Sequence, residues 1–175
     1  EIVFAFQKED SLLCQQDSTY IPRQKSDVIQ NFVSRAKKIC KRYNVTLTAD
    51  VFAIVSWQRT ADIKATGQDI EKMSRYLDAI HPMIYSSHFS KDFGYREDLP
   101  NEPYFIVYKG GALSKKYSDS KCRVIPYIQS NSWRVNYSYD YLAGQIQAVI
   151  DSGSDGYILW NASNRYYQTL RWIRE

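Results

Sequence analysis

Acidic, aromatic and amide side chains stand in or just after short apolar runs of this chain. Asp50 interrupts the run Thr46–Ile54, TLTADVFAI, and Tyr85 and His88 directly follow the apolar residues that end at Ile84. A charged side chain inside an apolar strand is costly unless it is paired or faces a cavity. We therefore interpret Asp50 as a candidate catalytic carboxylate, with a capping group or a core ion pair as the alternative.

Two later apolar runs also end in groups suited to binding. RVIPYIQ ends on Gln129, and GYILW ends on Trp160 and is followed by Asn161. Aromatic faces stack on planar or apolar ligand surfaces, and amides hydrogen-bond polar ones. Because ligands of α/β folds bind at the C-terminal ends of the strands, we expect the strand-end side chains to converge on one face. They are Asp50, Tyr85, His88, Gln129 and Trp160.

Strand-like and helix-like segments alternate along the chain and must position these residues. Five strands are predicted, near Glu1–Phe6, Thr46–Phe52, Ala79–Tyr85, Arg123–Gln129 and Gly156–Trp160. Regular alternation predicts a parallel sheet with helices outside it. The order fits an open doubly wound sheet or the last five strands of an eight-stranded barrel. No GxGxxG or Walker pattern follows any strand, which argues against a nucleotide-binding or flavodoxin-like sheet.

The connecting segments give further local predictions. Asp69 is placed to cap a helix. A helix that begins at Pro103 and ends near Lys116 is weakened by two glycines, Gly110 and Gly111. The segment 55–66, which carries Trp57, and the polar segment 7–25 are predicted to be loops.

Composition narrows the class of protein. The 175 residues suggest one domain, and the contents of 44% hydrophobic and 24% charged residues are typical of globular proteins. The net charge of +4 is mild and spread along the chain, so we expect no nucleic-acid partner. Three cysteines fit no metal template, and we expect neither a metal nor a cofactor. No apolar run approaches the roughly 20 residues that a membrane span needs.

Five motifs resemble, in order and spacing, a family of bacterial glycoside hydrolases that fold as (β/α)8 barrels. They are LTADVF, TGQDIEKM, LDAIHPMIYSSHF, PYIQ and DGYILWNASNRY. The resemblance runs from Glu1 to about Tyr166 and corresponds to barrel strands four to eight. It implies that residues 1–175 form a single (β/α) barrel-type domain that is N-terminally incomplete. It also slightly favours the cell envelope or secretion as the location.

The resemblance assigns residues position by position. The family's acid in the fifth strand matches Asp50, its Gly-Gln pair matches Gly67 and Gln68, and its other matched positions are Pro82, Met83, Tyr85, His88, Gln129, Trp160 and Asn161. The chain departs from the family in two places. Ala5 stands where an acid is expected in the fourth strand, and Ile125 stands where an arginine is usual.

The implied activity is cleavage of O-glycosidic bonds, which ordinarily needs two carboxyl groups that flank the bond. Asp50 would be one of them. Tyr85, His88, Gln129, Trp160 and Asn161 would bind the sugar, and Trp57 or Trp133 would add stacking platforms. The second carboxyl would come from the missing strands or from a loop acid, namely Glu9, Asp10, Asp17, Asp92, Glu97 or Asp98, and His88 is an alternative proton donor. The alternative is a degenerate barrel that binds carbohydrate without cleaving it.

Overall fold

The computed structural model describes residues 24–91, 93–95 and 97–174. The strands are β1 (Thr48–Phe52), β2 (Ala79–Ile84), β3 (Arg123–Val124), β4 (Tyr127–Gln129) and β5 (Ile158–Trp160). The α-helices are α1 (Lys25–Arg42), α2 (Thr60–Thr66), α3 (Ile70–Met73), α4 (Pro103–Tyr117), α5 (Tyr139–Asp151) and α6 (Tyr167–Arg174). Short 3-10 helices span Ala53–Trp57, Ser74–Tyr76, Ser86–His88 and Leu99–Asn101. None of these described helices has the length and apolar character required to cross a bilayer.

All strand pairs in the described part of the chain are parallel, as predicted. The sheet has the order β1-β2-β4-β5, and β3 pairs with β2 beside β4. The predicted strand Glu1–Phe6 and most of the predicted loop 7–25 lie outside the described residues. Helix α1 begins at Lys25, and its N-cap residue, Gln24, makes no capping hydrogen bond with its side chain.

The helices cover one face of the sheet. Ile80 and Ile84 of β2, Val51 of β1, Val124 of β3 and Ile128 of β4 are fully buried, and they pack with apolar residues of α1, α3, α4 and α5. These five positions share one face, because successive side chains of a strand alternate between faces. The alternate residues therefore point to the opposite face. Helices on a single face are typical of a barrel wall, whereas a doubly wound sheet carries them on both.

The predicted strand Arg123–Gln129 is divided into β3 and β4. Proline has no backbone N–H with which to continue a ladder, and Pro126 stands at the break. Both pieces still pair with β2, through Ile80 with Val124 and Ile84 with Ile128.

The segment 55–66 is helical, and the prediction of a loop there is wrong. A 3-10 helix ends at Trp57, Gln58 adopts the left-handed conformation with φ 50°, and α2 follows. Gly67 then ends α2 with φ 76°. The predicted cap at Asp69 is confirmed, since its side chain accepts a hydrogen bond from the Lys72 N–H, although α3 spans only one turn.

The two glycines of α4 allow close packing of the helix against its neighbours. A Cβ atom at Gly110 would lie 2.6 Å from Cδ1 of the fully buried Ile84, and one at Gly111 would lie 2.5 Å from Oγ of Ser152. Their low helix propensity is therefore offset by close contact of α4 with β2 and with the end of α5. The sequence alone indicated only the low helix propensity of the two glycines.

Two aspartates tie the N-terminal ends of neighbouring strands together. Asp78 accepts hydrogen bonds from the Leu47 N–H (2.7 Å) and from Lys37 (2.5 Å), and these lower its pKa. Asp155 accepts from the Val124 N–H (2.7 Å) and from Lys115 (2.9 Å). Partial burial alone would raise the pKa of Asp155, but the hydrogen bonds outweigh it and the net shift is downward.

Gly110→Ala is expected to destabilise the fold. The added methyl gains up to about 1 kcal/mol of helix propensity, but overpacking against Ile84 costs roughly 1–3 kcal/mol. Gly144→Ala in α5 is the matched control, because its nearest new neighbour, Pro103 Cγ, is 3.9 Å away. Urea unfolding should show a lower midpoint for Gly110→Ala and a higher one for Gly144→Ala. Equal stabilisation by both changes would contradict the packing role of Gly110.

Acid should destabilise the fold through Asp78 and Asp155. A carboxyl with a lowered pKa in the folded state contributes its full stability above its unfolded pKa, near 3.8. That contribution is lost as the pH falls from there through the lowered folded value. Thermal unfolding between pH 7 and pH 2 should show a smaller loss of stability on acidification for Asp78→Asn than for the parent chain. An unchanged pH dependence in Asp78→Asn and Asp155→Asn would refute this role.

Candidate functional site

Five aromatic rings form a continuous surface at the C-terminal end of the sheet, which we call the aromatic wall. From the loop inward they are Trp133, His88, Tyr85, Trp160 and Tyr127. Successive ring centroids are 4.8, 5.2, 6.1 and 6.5 Å apart, and Tyr85 and Trp160 are nearly parallel at 25°. Trp160 is 41% exposed and Trp133 is 49% exposed, so the wall is partly open to solvent.

Gln129 holds the two loops that carry the outer rings. Its side chain is buried, and its Oε1 accepts a hydrogen bond from the Ser87 N–H at 3.3 Å. Its Nε2 donates to the carbonyl oxygens of Asn131 and Trp133, both at 3.1 Å. The predicted contact of Gln129 with a ligand stays a prediction. In the structure its amide positions His88 and Trp133.

Asn161 has an equivalent position after β5. Its Nδ2 donates to the carbonyl oxygens of Ser130 (2.6 Å) and Arg165 (2.9 Å), and its Oδ1 accepts from the Ser163 N–H (2.9 Å). The side chain is buried next to Trp160. Asn161 therefore fixes the loop that begins at Trp160, and its predicted role in binding is likewise untested.

His88 ends a 3-10 turn and lies between the rings of Tyr85 and Trp133. Partial loss of solvent lowers the pKa of its imidazole, and the positive charge of Arg134 lowers it further. Arg134 lies over the Trp133 ring at 4.5 Å and has the left-handed φ of 59°. At neutral pH the imidazole is therefore uncharged, and it can both donate and accept a hydrogen bond.

Asp50 lies farther from the C-terminal end of the sheet than the strand-end position that was predicted for it. It is the third residue of β1, which continues to Phe52. In register it pairs with His81, four residues before Tyr85, or roughly 13 Å along the strand. The structure thus brings Tyr85, His88 and Trp160 together, and it places Asp50 on the same face farther down. The sequence could not show that the strand continues past the acid.

Two residues that sequence reasoning missed lie next to Asp50. His81 is on the neighbouring strand, and its Nδ1 donates to the Ile125 carbonyl oxygen at 3.0 Å, which leaves Nε2 as the acceptor of a neutral ring. Burial and the negative charge of Asp50 raise the pKa of Tyr127. The two-residue period of strands could have revealed both, since His81 shares the face of Tyr85 and Tyr127 shares that of Gln129.

Two other predicted candidates, Trp57 and Asp98, are not members of the wall. Trp57 packs against Phe89 and Phe93, with ring centroids 5.7 and 5.1 Å away, and is not a member of the wall. Asp98 accepts a hydrogen bond from Asn101. The loop acids Glu9, Asp10, Asp17 and Asp92, like Ala5, fall outside the described residues. Within the described part of the chain, no group of three or more His, Cys, Asp and Glu residues is arranged to hold a metal ion.

The sequence profile of one family matches residues 4–166, and its description is "Putative glycosyl hydrolase domain". The chain belongs to this family. The glycosidase-type resemblance of its motifs is thereby confirmed. A search of curated proteins gave no significant match.

A solved structure shares the fold of this glycosyl hydrolase family member. It is the glycoside hydrolase domain of PgaB (BpsB) from Bordetella bronchiseptica, with a TM-score of 0.59 and 16% sequence identity. The match covers 94% of this chain and 45% of that one. The present chain thus spans less than half of that structure's length. Together with the one-sided parallel sheet, the match confirms the fold class as part of a (β/α) barrel of glycosidase type.

His88 should titrate below 6.5, the ordinary pKa of histidine. The chain has two histidines, so NMR of the imidazole Hε1 protons gives two signals, and His88→Gln assigns them. Arg134→Ala should raise the pKa of His88 without restoring the ordinary value, because loss of solvent is the larger cause. Lys121→Ala, which alters an exposed cation outside the wall, should leave it unchanged. A pKa of His88 above 6.5 in the parent chain would refute the described environment.

Proposed function

We propose that this glycosyl hydrolase-like domain binds an oligosaccharide along the aromatic wall, with Asp50 as one of its catalytic carboxylates. The observation that carries the proposal is the continuous row of rings, in which the side chains of Trp160 and Trp133 are exposed. The flat, C–H-bearing faces of sugar rings pack on aromatic faces, which bury much apolar area at little conformational cost. A row of several rings suits a ligand of several sugar units.

Polar groups on the wall complement the hydroxyls of such a ligand. A neutral His88 can accept from one hydroxyl and donate to another. The raised pKa of Tyr127 keeps its phenol protonated at neutral pH, so this hydroxyl is a hydrogen-bond donor close to Asp50. The amides of Gln129 and Asn161 act mainly by holding the rings in place.

Asp50 has the surroundings that a catalytic carboxylate requires. Its side chain is exposed and lies on the sheet face that carries the wall. In a glycosidase one carboxyl protonates the leaving oxygen, and the other attacks the anomeric carbon or activates water. His81, its neighbour in register, accepts at Nε2 when neutral and could receive or return a proton.

The second candidate function is carbohydrate binding without cleavage. Asp50 is the only acidic residue in the five described strands. Ala5 occupies the position at which the family resemblance would supply a second acid. Stacking and hydroxyl hydrogen bonds need neither carboxylate, so binding would survive the loss of catalysis.

Oligosaccharide binding should depend on Trp160. Calorimetric titration with a panel of bacterial cell-wall and storage glycans should identify a ligand, and Trp160→Ala should weaken its binding about tenfold, the loss expected for one stacking face. Tyr167→Ala is the control, because this tyrosine is 86% exposed on α6 and outside the wall. Failure of every glycan to bind would overturn both candidate functions.

Hydrolysis of the same glycans separates the two candidates. With one positioned acid–base group missing, turnover of unactivated glycosides should be roughly 10²–10⁴-fold below that of a two-carboxylate enzyme. Asp50→Asn should reduce the remaining turnover by about 10²-fold or more while binding persists. Glu71→Gln, an exposed acid of α3, is the control. Binding without detectable turnover would favour the second candidate, and unchanged turnover in Asp50→Asn would exclude the proposed role of Asp50.

A further inference from the structure

An apolar cavity of about 580 Å³ lies beside the aromatic wall. Its sides are formed by Phe52 at the end of β1, Met83 of β2, and Phe89 and Phe93 of the segment after Ser86–His88. None of the lining residues that the structure describes is acidic, lysine or arginine. The volume lies within the roughly 300–1,000 Å³ of cavities that bind small organic ligands.

The far side of the cavity is preformed. The rings of Trp57, Phe89 and Phe93 contact one another, with centroid separations of 4.9, 5.1 and 5.7 Å. All three also pack against the buried cluster that includes Ile84 and Val107. Because the hydrophobic core supports these rings, they need little rearrangement to contact a ligand.

The cavity and the aromatic wall share two residues, Tyr85 and His88. Trp160 adjoins Tyr85 on the wall, and Trp133 adjoins His88. A sugar that packs on the exposed Trp160, beside the buried Tyr85, therefore has its substituent within reach of the cavity. This continuity makes the two features parts of one binding surface.

The lining selects against a second sugar unit in this place. Hydroxyl groups transferred into an apolar cavity lose hydrogen bonds to water, and few lining groups can replace those bonds. An apolar group gains free energy in proportion to the area it buries.

We propose that this cavity is a subsite for an apolar group that is covalently joined to the sugar on the aromatic wall, such as the alkyl or aryl aglycone of a glycoside. The proposal rests on the proposed carbohydrate binding for the sugar part of the ligand. The aglycone specificity is an addition to that function, and it holds whether or not the glycosidic bond is cleaved.

The test compares methyl, octyl and phenyl glycosides of the same common hexoses by calorimetry, below the critical micelle concentration. The octyl or phenyl member of a set should bind at least about tenfold more tightly than the methyl member, which corresponds to burial of about two methylene groups. Ser90→Trp places an indole at the exposed edge of the cavity and should abolish this gain. It should leave oligosaccharide binding on the wall within about twofold. Ser120→Trp, at an exposed turn before β3, is the matched control and should change neither.

Each outcome separates the subsite from the sugar site. If oligosaccharides bind but octyl and phenyl glycosides gain nothing over methyl glycosides, or if Ser90→Trp keeps the gain, the subsite is refuted and the proposed function stands. If no glycoside or oligosaccharide binds, both are refuted. If n-octanol alone binds as tightly as the octyl glycoside, the cavity is a site for free apolar ligands, and its proposed link to the sugar is wrong.

Discussion

Burial of one set of apolar strand side chains against the helices is the constraint on which the rest of this structure depends. Val51, Ile80, Ile84, Val124 and Ile128 are fully buried between the sheet and its helices. Since side chains alternate along a strand, burial of this set directs every second residue to the other face. Asp50, His81, Tyr85, Tyr127 and Trp160 are those alternate residues, and a slip of one residue in register would exchange the two sets. The core thus determines which residues are available for chemistry.

Neutral amides secure the C-terminal end of the sheet, where parallel strands leave backbone groups without strand partners. Gln68 accepts from the Phe52 N–H at 2.8 Å. Gln145, fully buried in α5, accepts from the Gln129 N–H at 2.8 Å and donates to its carbonyl oxygen at 2.9 Å. Asn161 binds the Ser130 carbonyl oxygen. The hydrogen bond of Gln68 explains the family's Gly-Gln pair. The left-handed Gly67 ends α2 and directs the Gln68 side chain to the end of β1.

The features that sequence reasoning predicted are those with a local cause. The cap at Asp69 follows from the chemistry of one residue and its neighbours. The parallel order follows from the alternation of strands and helices. By contrast, the packing role of Gly110 and the position of Asp50 within β1 depend on residues that are distant in the chain. The close approach of α4 to Ile84 sets the role of Gly110, and the extension of β1 to Phe52 sets the depth of Asp50. His81 and Tyr127 were missed because candidate residues were selected at the ends of the predicted strands and not along the faces of those strands.

At both ends of the sheet, side chains hydrogen-bond backbone groups that have no strand partner, but the two ends use different side chains. At the N-terminal ends carboxylates are used, and Asp78 and Asp155 are each paired with a lysine. At the C-terminal ends the corresponding groups are the uncharged amides of Gln68, Gln145 and Asn161. A carboxylate in any of those three places would add a negative charge to the end of the sheet that carries the aromatic wall. The neutral amides therefore hold the aromatic wall without adding charge to this end of the sheet.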